Sequence, residues 1–310
     1  MRWLRGVDAV DERCGRATKI VHVTDAEGDF FEFLARFESG DTRFVVRAGQ
    51  LDRIVLRDGE EMSLAEAIAD TRPRLHRHIA LSERKHIKRR VGHRSRRKHP
   101  ARSARVARVA IGATTVHFRK TKYTDVRIAP FAINVVRVWE PAPKVGEPPV
   151  EWVLLTGEPV GSKRALARVV DLYRLRWTIE EFFKALKTGC ALEKRQVESY
   201  HGFRKVLALF APIAYRLLLL RALERTSPDQ DARSLFTDTE LRLLLAATRG
   251  DTHGPVTLRD ALLRLARLGG HIKNNGPPGW LTLGRGFDHL VMLVLGARLA
   301  AKKCKKFDQS

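Results

Sequence analysis

An α/β fold that gives way to an all-helical end is predicted by three observations. The segment from Ile20 to Arg47 runs apolar strand, acidic turn, short helix, strand, which is how α/β layers are assembled. From about residue 50 to 156 the pattern changes to short alternating strands. Beyond residue 200 the apolar residues recur at helical spacing, interrupted by glycine and proline runs.

Taken in order, residues 2 to 16 read as a short helix and Ile20 to Val23 as an apolar strand, ending in Thr24 and Asp25 before a turn at Gly28. Phe30, Phe31, Phe33 and Leu34 begin a second helix, and Arg43 to Arg47 (RFVVR) is the next strand. Asp25 thus stands at the carboxyl end of its strand, where open α/β sheets place their chemistry. An aspartate there more often closes a turn or caps a helix. Asp29 reads as part of the following helix's first turn, where the macrodipole favours an acid.

Strands follow at Ala104 to Ile111, Thr114 to Phe118 and Val126 to Val138, with one helix near Ser63 to Ala69. Within this region lies a basic loop, 84–99; nine of the fifteen residues from Arg84 to Lys98 are Lys or Arg. Such a run either holds phosphates without reading sequence or is a solvated hairpin tip. Its histidines, His86, His93 and His99, share no helix face and sit in a cationic loop, so they are not read as metal ligands. The strand Glu151 to Val160 (EWVLLTGEPV) carries Trp152; a tryptophan in such a strand is usually core or interface packing.

The stretch from Asp171 to Arg195, DLYRLRWTIEEFFKALKTGCALEKR, reads as one helix. Its Leu172, Leu175, Ile179, Phe182, Phe183 and Leu186 recur at the three- and four-residue steps of a helix lying on a core. At about 100° per residue, Tyr173, Arg176, Glu180 and Lys187 fall in a second stripe roughly 60° wide, with Trp177 and Lys184 beside it. On spacing alone this is a solvated face with pairs such as Arg176 with Glu180 and Glu180 with Lys184. Apolar helices then follow at Phe203 to Leu223, Thr239 to Ala247, Leu258 to Leu268 and Phe287 to Ala300. Gly269 with Gly270, and the run from Gly276 to Gly279, mark breaks between them.

A chain of 310 residues has room for about two domains. Its formal charge of +23 points to a polyanion, nucleic acid first, as partner. Cys14, Cys190 and Cys304 are odd in number and far apart, so neither zinc nor a disulfide framework is predicted, and a reducing compartment fits. The opening MRWLRGVDAVDERC has no secretory h-region. The most apolar run, Leu207 to Leu220, holds Pro212 and Arg216, is shorter than a membrane span and reads as a buried helix.

The spacing Tyr173, Arg176, Glu180, Lys187 inside RWTIEEFFKALKTG resembles the Y-R-E-K signature of the insertion-sequence-four family of DDE transposases. VTDAEGDFFEFL looks like the segment in which that family carries its second catalytic carboxylate, with Asp25 at the matching position and Ala26 where arginine is frequent. The W-x-L-L-T-x-E-P pattern starts at Trp152, 21 residues before Tyr173, as in the family. The resemblance implies a partial ribonuclease-H-like (retroviral-integrase-like) core interrupted by a β-rich insertion and followed by a C-terminal helical region. Its parts would be 1–49, the remaining core with Asp25; 50–156, the insertion; 157–200, the core helix with the catalytic Glu180; and 201–310, the dimerisation and DNA-contact region.

The same resemblance implies Asp25 and Glu180 as catalytic residues holding Mg²⁺ or Mn²⁺. It implies Tyr173, Arg176, Lys184 and Lys187 as phosphate contacts, and Trp152 as the platform for a base turned out of the DNA. Trp139 has no such match and is read as structural. The partners implied are double-stranded DNA bearing transposon end repeats and a second copy of the chain, with no membrane, in the bacterial cytoplasm at the nucleoid.

Family members carry, ahead of the region matched here, a DNA-binding helical region and three strands bearing a first catalytic aspartate. Asp8 and Asp11 sit in a helical segment and are not promoted to that role. The chain is therefore expected to be a truncated, catalytically impaired copy, with a sheet of about two strands and poor solubility. The competing expectations are a non-enzymatic, dimerising inhibitor of an intact transposase, and a general basic DNA-binding protein.

Overall fold

The computed structural model describes all residues except 1, 16–18, 39–41, 82, 84–100, 120–129, 250–253, 273–275 and 308–310. The basic loop expected at 84–99 therefore lies outside the described residues, as do 126–129 of the strand expected from Val126. The chain divides into two compact units, Met1–Arg176 and Trp177–Ser310.

The first unit is one sheet with helices on both faces. α1 (Arg2–Cys14) leads to β1 (Val21–Thr24), a 3₁₀ turn (Ala26–Gly28), α2 (Phe31–Ala35) and β2 (Arg43–Arg47). There follow β3 (Ile54–Arg57), β4 (Glu60–Ser63), α3 (Leu64–Ala69), β5 (Leu75–Leu81), β6 (Arg105–Phe118), β7 (Phe131–Trp139), β8 (Glu151–Thr156) and α4 (Lys163–Leu175). β3 and β4 meet through Asp58 and Gly59, both at positive φ (53° and 87°), the aspartate–glycine turn that suits a tight hairpin. Ser63 and Glu66 cap α3 reciprocally, which fixes where that helix starts.

The strand order is β1-β2-β8-β7-β6-β3-β4, with β5 also paired to β6. β1 and β2 run parallel, Val23 opposite Val45, and β2 pairs antiparallel with β8, Val45 opposite Thr156. The expected two-strand sheet is thus replaced by eight strands, because β2 gives its outer hydrogen-bonding edge to β8 and the strands after residue 50 extend the same sheet. Alternating side chains fill two cores. Phe44, Val46, Val116, Ile133 and Leu155 face α1, α2 and α3, while Val45, Val109, Val136 and Leu154 face α4. Instead of the two strands expected over 104–118, β6 is continuous. Gly112 interrupts nothing; an added Cβ there would stand 2.3 Å from the Arg72 carbonyl oxygen, so it is a point of close approach.

The second unit is helical: α5 (Trp177–Lys184), a π turn (Ala185–Gly189), α6 (Tyr200–Thr226), α7 (Asp238–Ala247), α8 (Leu258–Leu268) and α9 (Trp280–Phe307). Leu186, Leu217, Leu220, Leu244, Leu265, Leu283 and Phe287 lie in its core. The core tolerates no side chain at three glycines. A Cβ would meet a backbone oxygen at 2.0 Å from Gly284 (Gly189), 1.9 Å from Gly286 (Leu265) and 1.9 Å from Gly269 (Thr282). α9 starts at Trp280, seven residues before the expected Phe287, and Gly284 and Gly286 lie within it as points of close approach.

Two further expectations change here. The single helix over 171–195 is two helices and a π turn, with the division between the compact units falling after Arg176. α4 buries Leu166, Val169, Val170 and Tyr173, whereas Leu175, Ile179 and Phe183 are exposed. Periodicity reveals that a face is apolar and not what covers it. α6 is likewise only partly a buried helix: Ala214, Leu217 and Leu220 are buried, and Leu209 and Tyr215 are exposed. By length and composition alone α6 could cross a membrane. Its Arg216 is bonded to Glu240 at 2.7 and 2.8 Å and to the Leu235 carbonyl, which ties it to α7 and the turn before it.

Candidate active site

β1 delivers Asp25 to the carboxyl end of the sheet, where the chain turns into the 3₁₀ turn. One carboxylate oxygen of Asp25 accepts the Glu27 amide at 3.0 Å, so the turn-closing role is present in the fold. Below it the Thr24 hydroxyl is buried, and a Cβ on Gly28 would stand 2.1 Å from its Oγ1, which restricts position 28 to glycine. Ala26 packs at Gly49, whose added Cβ would lie 3.0 Å from the alanine methyl.

Asp29 is not in the first turn of α2 as expected. It is buried, because its carboxylate organises the loop after β2: it accepts the Gly49 and Gln50 amides at 2.7 and 3.0 Å and pairs with Arg53 at 2.7 Å. Arg53 returns to the Asp29 carbonyl at 3.0 Å and lies 4.8 Å from the centre of the Phe118 ring. The Asp25 turn and the 48–53 loop are therefore held as one piece.

Trp152 sits on β8 opposite Val138, partly buried, with its ring 5.8 Å from that of Tyr173. Tyr173 itself is 8% exposed, its ring in the core, and the Arg176 guanidinium lies 5.9 Å from that ring. Trp139 has Arg137 over it at 5.0 Å, in keeping with a structural tryptophan. The segment after Trp152 is structural too: Thr156 Oγ1 donates to the Phe44 carbonyl at 2.6 Å, and buried Glu158 pairs with Arg168 of α4 at 3.3 Å.

Glu180 lies on α5, half-buried. Lys184 donates to Glu181 at 2.7 Å, and Lys187, on the π turn, pairs with Glu193 at 3.2 Å with both groups exposed. Thus Asp25, Trp152, Tyr173 and Arg176 belong to the first unit, and Glu180, Lys184 and Lys187 to the second. Sequence reasoning missed Glu181. Burial pushes its carboxyl up, but Lys184, the Trp280 N–H and the charge of Arg221 together hold it below the ordinary value. No spacing in the sequence links Glu181 to Trp280, which lies 99 residues away.

Residues 16–214 match the family described as transposase DDE domain. The chain belongs to the DDE transposases. Asp25, Trp152, Tyr173, Arg176, Glu180, Lys184 and Lys187 all fall inside the matched residues. The mixed sheet and helical C-terminus of this transposase accord with such a domain. DDE transposases act on DNA and generally use divalent metal ions. Carboxylate oxygen, which Asp25 and Glu180 each carry, is the donor that hard cations take. Among the described residues no three His, Cys, Asp or Glu side chains gather into a group that could hold a metal on their own.

Proposed function

We propose that this transposase is of the insertion-sequence-four type and works by cut-and-paste at transposon ends. Asp25 and Glu180 are the carboxylates that hold Mg²⁺ or Mn²⁺. The observation carrying this reading is Asp25: a strand-end aspartate within the matched residues, with its Oδ1 held by the Glu27 amide. When bound, divalent ions activate the attacking water and stabilise the leaving oxygen of a phosphodiester.

The protein's own groups then bind and orient. Arg176, Lys184 and Lys187 hold backbone phosphates as charged donors. Tyr173, with its ring in the core, contributes its hydroxyl alone. Trp152 offers an aromatic face to a base turned out of the duplex, a contact indifferent to sequence. The helical region 201–310 supplies dimerisation and further DNA contact, and the division into 1–49, 50–156, 157–200 and 201–310 is a functional partition along the chain.

Two divalent ions about 3.5 to 4 Å apart clamp both oxygens in such chemistry. Asp25 and Glu180 by themselves offer too few ligands for two, so these two residues are expected to hold one ion weakly. Titration with Mn²⁺, followed by the loss of the free-ion electron paramagnetic signal, tests the assignment. Asp25→Asn and Glu180→Gln should each weaken binding at least tenfold. Binding unchanged in both variants would remove these residues from the metal site. Brisk Mn²⁺-dependent nicking of an end-bearing duplex, abolished by Glu180→Gln, would show the ligand count to be wrong.

A further inference from the structure

Glu180 sits on a short helix, none of whose residues is fully buried. α5 has eight residues; Phe182 packs, partly buried, against the core of the second unit. A helix this short has no stability of its own in water, and its orientation must come from tertiary contacts. Ile179 and Phe183 are exposed, so Phe182 carries the apolar share of those contacts and polar ones add to it.

Glu181, the residue beside Glu180, makes the polar ones. Its Oε2 accepts the indole N–H of Trp280 at 3.3 Å, and its Oε1 accepts Lys184 at 2.7 Å. Trp280 is only 8% exposed at the start of α9, and the Arg221 guanidinium of α6 stacks 4.6 Å from its ring centre. α9 thus reaches the Glu181 carboxylate directly, and α6 backs that contact through the Trp280 ring. Immediately after α5, the π turn is seated on α9 where Gly189 and Gly284 meet backbone to backbone.

We infer that Glu181, Trp280 and Arg221 form a positioning clamp for Glu180, setting the direction in which its carboxylate leaves the helix. The clamp rests on the reading of Glu180 as a metal carboxylate. Successive side chains on a helix are about 100° apart, so fixing Glu181 fixes the sector open to Glu180. A reacting group displaced by about 1 Å can lose roughly a hundredfold in rate, which is why a lightly packed catalytic helix requires such a contact.

Two variants of the full chain test this. Trp280→Phe removes the indole N–H while keeping an aromatic ring beneath Arg221, and Glu181→Gln removes the ion pair with Lys184. Both should accelerate amide hydrogen exchange over 177–184 about tenfold while α7 and α8 keep their protection, and both should weaken Mn²⁺ binding about tenfold. Glu180→Gln should weaken Mn²⁺ binding while leaving exchange over 177–184 as in the parent protein. If both clamp variants keep parent exchange and parent Mn²⁺ binding while Glu180→Gln loses Mn²⁺, the clamp is wrong and the metal assignment stands. If Glu180→Gln keeps Mn²⁺, the metal assignment fails, and the exchange data alone decide whether the clamp exists.

Discussion

At the scale of single residues, the acids near Asp25 show what a sequence can convey. Asp25 was legible because a strand and a turn place it. The role of Asp29 was not, since Arg53 and the Gly49 amide become its partners only when the loop after β2 folds back. Asp29→Ala would leave the Arg53 charge buried and two amides unanswered, and should cost about 3–5 kcal/mol in urea unfolding. The buried pair Glu140 and Arg105 carries a pH dependence. Hydrogen bonds from Arg105, helped by the Val150 amide and opposed by burial, hold the Glu140 carboxyl below its ordinary 4.5. That stability is fully present above about 4.5 and is lost as the pH falls through the lowered folded value, so Glu140→Gln should flatten the acid limb of a stability–pH profile. Burial, with Asp288 nearby, pushes the Cys190 thiol up to about 11. At pH 8 a thiol reagent should label exposed Cys14 well before Cys190, as peptide mapping would report.

At the scale of elements, legibility followed how local the determining signal is. α8 starts and stops where the sequence places it, because Thr257 and Asp260 cap one end and Gly269 closes the other. β2 was equally plain. The row from Asp171 to Arg195 was not, because a helical period continues across Arg176 although the two compact units divide there. The π turn after Lys184 has no sequence signature of its own; it appears where Gly189 must meet Gly284. Gly284→Ala places a methyl 2.0 Å from a backbone oxygen that no rotamer can relieve. It should destabilise the second unit by about 1–3 kcal/mol or more and expose α5 to exchange, seen as a lowered melting temperature and lost protection over 177–184.

At the scale of the whole molecule, the +23 charge was the earliest guide to a nucleic-acid partner, and the family match agrees with it. Binding dominated by phosphate contacts should weaken about a thousandfold between 50 and 200 mM salt, with a linear log–log slope in fluorescence anisotropy. A slope near zero would count against a basic DNA-binding surface. The sheet, by contrast, could not be foreseen as a single body, because its key pairing joins strands remote in sequence: Thr156 reaches back to Phe44, 112 residues earlier. Synthesis has a timetable as a result. At roughly 5 to 20 residues per second, β1 and β2 leave the ribosome about 6 to 22 s before β8 arrives to complete them. Until then their apolar faces lack that partner, so a co-expressed chaperone should raise the share of the protein recovered in the soluble fraction.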